Sequence, residues 1–287
     1  MKAKKIINEI EEESKVIAFS SISENLTRIG YGARGLIYGV MGVLAFMLAF
    51  GVYGSLQDTQ GALAFIGKQP LGRILLGIVL VGLIGYSLWG LIRAFFDPLH
   101  KGKSFKGILE RTGFFVSALA YAILIFPTYN FIFGNSGAAQ NGAQGIQLRN
   151  IIGTIFLMPL GKWIVGLIGL FVLGVGLYQI YSGLRHKFDQ QIKLYALSPK
   201  QIKLIKILGR IGTLARSVVA VLIGIFLLFA AYSTNSAEVK GIDGALLILL
   251  QQPYGSWLLG IVAVGLIAFG AYSLLSGLWF KFKRSDI

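Results

Sequence analysis

The chain has 287 residues, 55% of them hydrophobic and only 14% charged, with a mean hydropathy of +0.72 and a formal net charge of +15. A soluble domain of this length carries nearly twice that charged fraction, so a soluble globular fold is excluded. The absence of cysteine excludes disulfides and thiolate metal sites.

Residues 1–26, MKAKKIINEIEEESKVIAFSSISENL, are charged and partly amphipathic. Glu9, Glu11, Glu12, Glu13 and Glu24 and the lack of a long apolar core exclude a signal peptide. Ile6, Ile7, Ile10, Val16, Ile17 and Phe19 fit a short helix at the membrane interface, and a solvated, disordered tail fits equally. Six apolar runs follow: Ala33–Tyr53, Leu71–Phe96, Gly113–Phe133, Leu160–Leu184, Ile211–Tyr232 and Tyr254–Phe280. Each reaches the roughly 20 residues a helix needs to cross the hydrocarbon core. None contains Asp or Glu. The expected fold is therefore an all-α membrane protein with six transmembrane helices.

The basic residues are unevenly shared among the connections. The links DPLHKGKSFKGILERTG and RHKFDQQIKLYALSPKQIKLIKILGRIG, the N-terminal segment and the tail KFKRSDI (residues 281–287) are rich in them. Only Lys68, Arg73, Arg149, Lys162 and Lys240 fall on the other side. By the positive-inside rule both termini are expected in the cytoplasm. Basic residues there attract anionic headgroups by about 1 kcal/mol each. Nucleic-acid binding calls for aromatics interleaved in a basic soluble platform, and none is visible.

Arg28-Ile29-Gly30 opens the first span, Arg111-Thr112-Gly113 the third and Arg210-Ile211-Gly212 the fifth. A second signature opens the even spans: Gln69-Pro70-Leu71-Gly72, Met158-Pro159-Leu160-Gly161 and Gln252-Pro253-Tyr254-Gly255. Gly77, Gly166 and Gly260 stand seven residues past each proline, and Trp89, Tyr178 and Tyr272 nineteen past it. Fixed offsets in three places define a tandem triplicate of a two-helix hairpin, with repeats at 27–97, 98–188 and 189–280. A pseudo-threefold six-helix bundle follows. The first and third repeats agree best. The middle one has Ser117 in place of Arg34 and Arg216, and adds Pro127 inside its first helix. Proline at the start of each second helix is tolerated because a first-turn amide has no helical partner. The stretch before it, such as Asp58–Gln69, is too short to span and suits a short interfacial helix. Gly35 and Gly39 share a helix face, and such small-residue ridges favour close packing in lipid.

Arg28-Ile29-Gly30-Tyr31-Gly32-Ala33-Arg34-Gly35, with Gly61-Ala62-Leu63 through Gln69-Pro70-Leu71-Gly72, resembles the repeat of the bacterial membrane proteins grouped as domain of unknown function 1206. Arg210 to Arg216 and Gly244 to Gly255 fit the same pattern. The resemblance covers nearly all of residues 27–280. It implies three tandem two-helix units in a bacterial inner membrane, and no activity.

No enzyme is expected. The spans hold Arg34, Arg73, Arg93, Lys162 and Arg216, but no acid or histidine. His100 and His186 are isolated, and no H-E-x-x-H, G-x-S-x-G or P-loop pattern occurs. Neither cofactor nor metal site is expected, and an oligomer or protein partner is not legible. Coupled carriers usually place Asp, Glu or His within the bundle. The first functional expectation is a structural or lipid-interacting membrane protein, with anionic headgroups on the cytoplasmic side held by Arg28, Arg34, Arg111, Arg210 and Arg216. The alternative is a passive channel or transporter for a small solute or anion along the repeat axis. The first expects apolar packing at the axis and arginines facing lipid; the second expects a continuous polar cavity.

Overall fold

The computed structural model describes residues 21–52, 58–97, 102, 105–134, 143–185 and 198–279. The expectations for residues 1–20 and for the basic tail lie outside the described residues. The spans are α1 (Ser21–Ala49), α3 (Gly72–Phe95), the pair α4 (Phe105–Ala122) and α5 (Ile125–Phe133), α7 (Gly161–Leu184), α8 (Pro199–Ser233) and α10 (Gly255–Trp279). Between the two spans of each repeat lies a shorter helix: α2 (Thr59–Gly67), α6 (Ala143–Phe156) and α9 (Ile242–Gln251). All six spans have the length and apolarity to cross a membrane.

The apolar runs locate α3, α7 and α10 to within a residue, but α1 and α8 start well before theirs. Hydropathy marks the edge of the lipid and not the end of the helix, and no breaker stands at either border. A Ser198–Gln201 capping box, followed by Pro199, starts α8. Its 35 residues make a rod of about 52 Å against a hydrocarbon core of about 30 Å. Its first turns carry Lys200, Lys203, Lys206 and Arg210, the residues suited to the part of the rod that exceeds the hydrocarbon core.

Pro127 breaks the third span. It has no amide hydrogen, and its ring opposes the carbonyl four residues back, at Ile123. The helix stops at Ala122 and resumes at Ile125.

The spans form a ring in chain order. α3 packs on α1 and on α4–α5, α1 on α10, α10 on α8, and α8 on α7. One seam is open: α4–α5 and α7 make no substantial contact. The first and third repeats are closed hairpins, whereas the middle hairpin expected from the sequence is splayed. The reason lies in where the small residues point. Gly169 and Gly176 of α7 abut Leu227, Leu228 and Val221 of α8, and Ala118 of α4 abuts Gly90 of α3. The small residues Gly169, Gly176 and Ala118 are thus taken up by α8 and α3, and Gly113 of α4 and Gly174 of α7 meet no neighbour. The expected ridge does close α1 on α10, where Gly270 lies against the backbone of Gly35 and Gly39.

The three short helices converge at one end of the ring, where Gln60 donates to Gln147 at 2.9 Å. Beneath them one apolar cluster joins Leu63, Leu246, Met41, Leu83, Leu124, Leu266 and their neighbours. The opposite end carries Arg28, Arg111, Lys200, Lys203, Lys206 and Arg210.

The signature prolines do not occupy the first helical turn. Each is the second residue of a tight turn, Gln69–Gly72, Met158–Gly161 or Gln252–Gly255, closed by an amide-to-carbonyl bond of 2.8–3.0 Å. The third residue of that turn must take a left-handed conformation, and Leu71, Leu160 and Tyr254 do so at φ 62°, 63° and 60°. The glycine that follows is obligatory for a steric reason. A Cβ there would overlap the carbonyl oxygen of Ile66, Ile155 or Leu250.

Candidate functional site

The basic half of the ring interior holds three arginines whose partners among the described residues are all neutral. Arg34 on α1 donates through Nε to Ser273 Oγ at 3.1 Å, with a long contact of 3.5 Å to the Tyr86 hydroxyl. Arg216 on α8 donates to Gln179 Oε1 at 2.7 Å. Arg93 on α3 is 5% exposed, and its Nε has no hydrogen-bond partner among the described residues. Arg34 and Arg216 are half-buried.

Aromatic faces supply the rest of the setting. The guanidinium carbons of Arg34 and Arg216 lie 4.8 and 4.7 Å from the centre of the Phe269 ring. Arg34 is also 4.9 Å from the Tyr31 ring and 6.0 Å from Tyr86. Arg93 sits 4.4 Å from Phe114, 5.4 Å from Trp89 and 5.9 Å from Tyr86. Tyr121 meets Tyr86 edge-on at 4.8 Å, and Tyr38 meets Phe269 at 4.9 Å. Each cation–π contact contributes about 0.5–2 kcal/mol.

The contacts follow the repeat. Ser273 and Gln179 both stand twenty residues past their repeat's proline, and Arg34 and Arg216 both stand six past their repeat's leading arginine. Each arginine thus bonds the equivalent position of the preceding repeat around the ring. At the third such vertex the pair would be Ser117 and Gly90, which cannot form it. Arg93, three residues beyond Gly90, supplies a guanidinium on α3 instead.

Among the described residues no carboxylate pairs with these arginines. Arg34 and Arg216 flank one ring and so lie at most about 10 Å apart, within a Debye length. At an effective dielectric of about 20 that repulsion costs about 1–2 kcal/mol per pair. The membrane-length stretches Thr27–Ala49, Gly72–Phe95, Arg111–Phe133, Gly161–Leu184, Pro199–Ser233 and Gly255–Trp279 contain no Asp or Glu to offset it.

Of the five arginines singled out by sequence, the structure brings Arg34 and Arg216 together and leaves the others at the basic end. Arg111 donates 2.9 Å bonds to the carbonyls of Ala94 and Phe95, closing the C-terminus of α3. Arg28 lies where α1 crosses α10, its carbonyl against Gly277. Arg210 is exposed and shares a shallow groove with Lys203 and Lys206. Neither Arg34 nor Arg216 turns outward to lipid. Sequence reading left out Arg93, Tyr86 and Phe269. The signal available for Arg93 was its place four residues after Trp89, one turn on along the same helix face.

The family described as Domain of Unknown Function (DUF1206) matches three times, at residues 29–97, 112–186 and 211–279. The chain belongs to that family. The three DUF1206 units coincide with the three helix pairs of the ring, and each takes in the tight turn and its glycine. The chain is also 34% identical over 252 residues to "Uncharacterized protein YxxB" of Bacillus subtilis (strain 168), across 88% of this chain and 89% of that one. No solved structure matches the chain.

Proposed function

We propose that this DUF1206 protein is a multi-pass protein of the bacterial inner membrane that holds the phosphate of an anionic lipid headgroup at Arg34, Arg93 and Arg216. The observation that carries the reading is the set of three guanidiniums whose partners among the described residues are only hydroxyl, amide and aromatic groups. An anion between them relieves their repulsion and forms charge-assisted hydrogen bonds, which arginine's planar fork suits. The role proposed is binding, which the arginines' hydroxyl, amide and aromatic neighbours suit. The basic end faces the cytoplasm on the charge distribution of the links, so the site draws on the inner leaflet. Arg28, Arg111 and Arg210 serve that end as helix anchors and as an electrostatic rim.

A channel along the axis is the weaker reading. The apolar cluster from Met41 and Leu83 to Leu63 and Leu246 fills the ring beneath the short helices and interrupts a polar path.

The test is the phospholipid that stays with the detergent-purified protein through delipidation, read by mass spectrometry. Wild type is expected to retain anionic phospholipid. Arg216→Leu is expected to insert normally and to retain about tenfold less, the value of one charged hydrogen bond. Equal retention by the variant refutes the assignment.

A further inference from the structure

We infer that the open seam between α4–α5 and α7 is a lateral portal, through which a glycerophospholipid brings its phosphate to the arginines while its acyl chains stay in the bilayer. The inference rests on the headgroup reading above and adds the route and the ligand class.

Three observations meet at the seam. First, it is the single break in a ring of otherwise packed neighbours among the described residues. Second, the arginine set reaches both of its edges. Gln179 on α7 accepts the bond from Arg216, and Tyr121 on α4 packs on Tyr86, which stands against Arg34 and Arg93. Both Gln179 and Tyr121 remain half-buried despite these contacts, as do Arg34 and Arg216. Third, the far end of the ring is closed by the short helices and the apolar cluster, so the interior cannot be reached from there.

Charge complementarity selects the occupant. Three cations with no carboxylate partner among the described residues ask for an anion, and the buried Arg93 Nε, unpartnered among them, is a donor still to be used. The spans that border the seam expose apolar side chains of the kind acyl chains cover, among them Leu119 and Phe126 on α4–α5 and Leu170, Leu177 and Tyr178 on α7. A ligand with a phosphate at one end and hydrocarbon at the other satisfies both surfaces together. A free phosphate satisfies only the arginines. Packing of a second copy into the seam would satisfy only the hydrocarbon.

The experiment uses the full chain in phosphatidylcholine nanodiscs doped with phosphatidylglycerol that carries a diazirine on one acyl chain. After illumination the adducts are mapped by peptide mass spectrometry. Adducts are expected to concentrate on the α4–α5 and α7 peptides. They should fall about tenfold in Arg34→Gln and in Arg216→Gln. Labelling of α1 and α10 is expected to stay unchanged, which guards against misfolding of the variants. Even labelling around the ring or insensitivity to both substitutions overturns the portal. Inorganic phosphate, titrated in parallel and followed by phosphorus NMR, separates the two claims. Arginine-dependent phosphate binding without seam adducts leaves the anion site standing and removes the lateral route. If neither probe distinguishes the variants from wild type, both fall.

Discussion

Arg216 of the third repeat reaches Gln179 of the second, its terminal nitrogen donating to the amide oxygen at 2.7 Å. The same step around the ring, taken from the first repeat to the third, joins Arg34 to Ser273 at 3.1 Å. A polar acceptor twenty residues past the proline thus orients a guanidinium without neutralising it. This distinction matters in lipid. A neutral acceptor leaves the charge available to a ligand, whereas a carboxylate would consume it.

Removing the acceptor should cost stability. Gln179→Leu leaves the half-buried Arg216 head without its hydrogen-bond partner. A loss of about 1–3 kcal/mol is expected, read as a lower midpoint of thermal unfolding in detergent. An unchanged midpoint would mean that Arg216 finds another partner, and that Gln179 does not position it.

Arg111 should behave differently from Arg34. Its two bonds close the carbonyl end of α3 at Ala94 and Phe95 and point away from the ring interior. Arg111→Gln is expected to lower stability by about 1 kcal/mol, since the site is partly exposed. Phospholipid retention should not change. A loss of retention equal to that of Arg216→Leu would show that the basic rim and the interior act as one site.

The repeated turn gives paired predictions of opposite sign. Gly161→Ala puts a methyl group onto the Ile155 carbonyl, and a loss of about 3 kcal/mol or more is expected, seen as reduced folded yield. Leu160→Gly places a permissive residue at φ 63°, so the left-handed strain of about 1–2 kcal/mol is relieved. The entropy of the unfolded chain takes back part of this gain. Thermal midpoints of the two single variants, moving in opposite directions from wild type, check the turn assignment.

The α1–α10 contact that closes the ring should be equally sensitive. Gly270→Val drives a branched side chain into the backbone of Gly35 and Gly39. The expected result is separation of the first and last spans. A cysteine pair placed across that contact in this cysteine-free chain would lose its crosslinking. Retained crosslinking would mean that the ring closes elsewhere.

Most of the frame was legible in the residues. Apolar length, the lack of acids in the spans and the offsets from Pro70, Pro159 and Pro253 are local properties of the chain, and they fix six spans in three units. The extra turns of α1 and α8 were hidden because hydropathy reports the solvent and not the backbone. The turn role of the prolines was hidden because Leu71, Leu160 and Tyr254 are not residues that announce a left-handed conformation. The seam was hidden for another reason: which small face pairs with which neighbour is a tertiary choice, and Gly169 and Gly176 could have served either side of α7. Arg34 and Arg216 were found by their repeat position, but their inward direction was not. Snorkelling toward phosphate is the default for a single arginine near a helix end, and only the ring puts Phe269 and the two acceptors beside them. Arg93 belongs to one repeat alone, so the repeat could not reveal it.

The most direct test of the central claim, that the interior arginines are kept uncompensated for an anionic ligand, is the substitution Gln179→Glu. It changes an amide to a carboxylate at unaltered size, 2.7 Å from Arg216 in the native pairing. The account predicts a protein at least as stable as wild type, because the new pair offsets the repulsion, yet one that retains about tenfold less anionic phospholipid. Undiminished retention by a well-folded Gln179→Glu protein would contradict it.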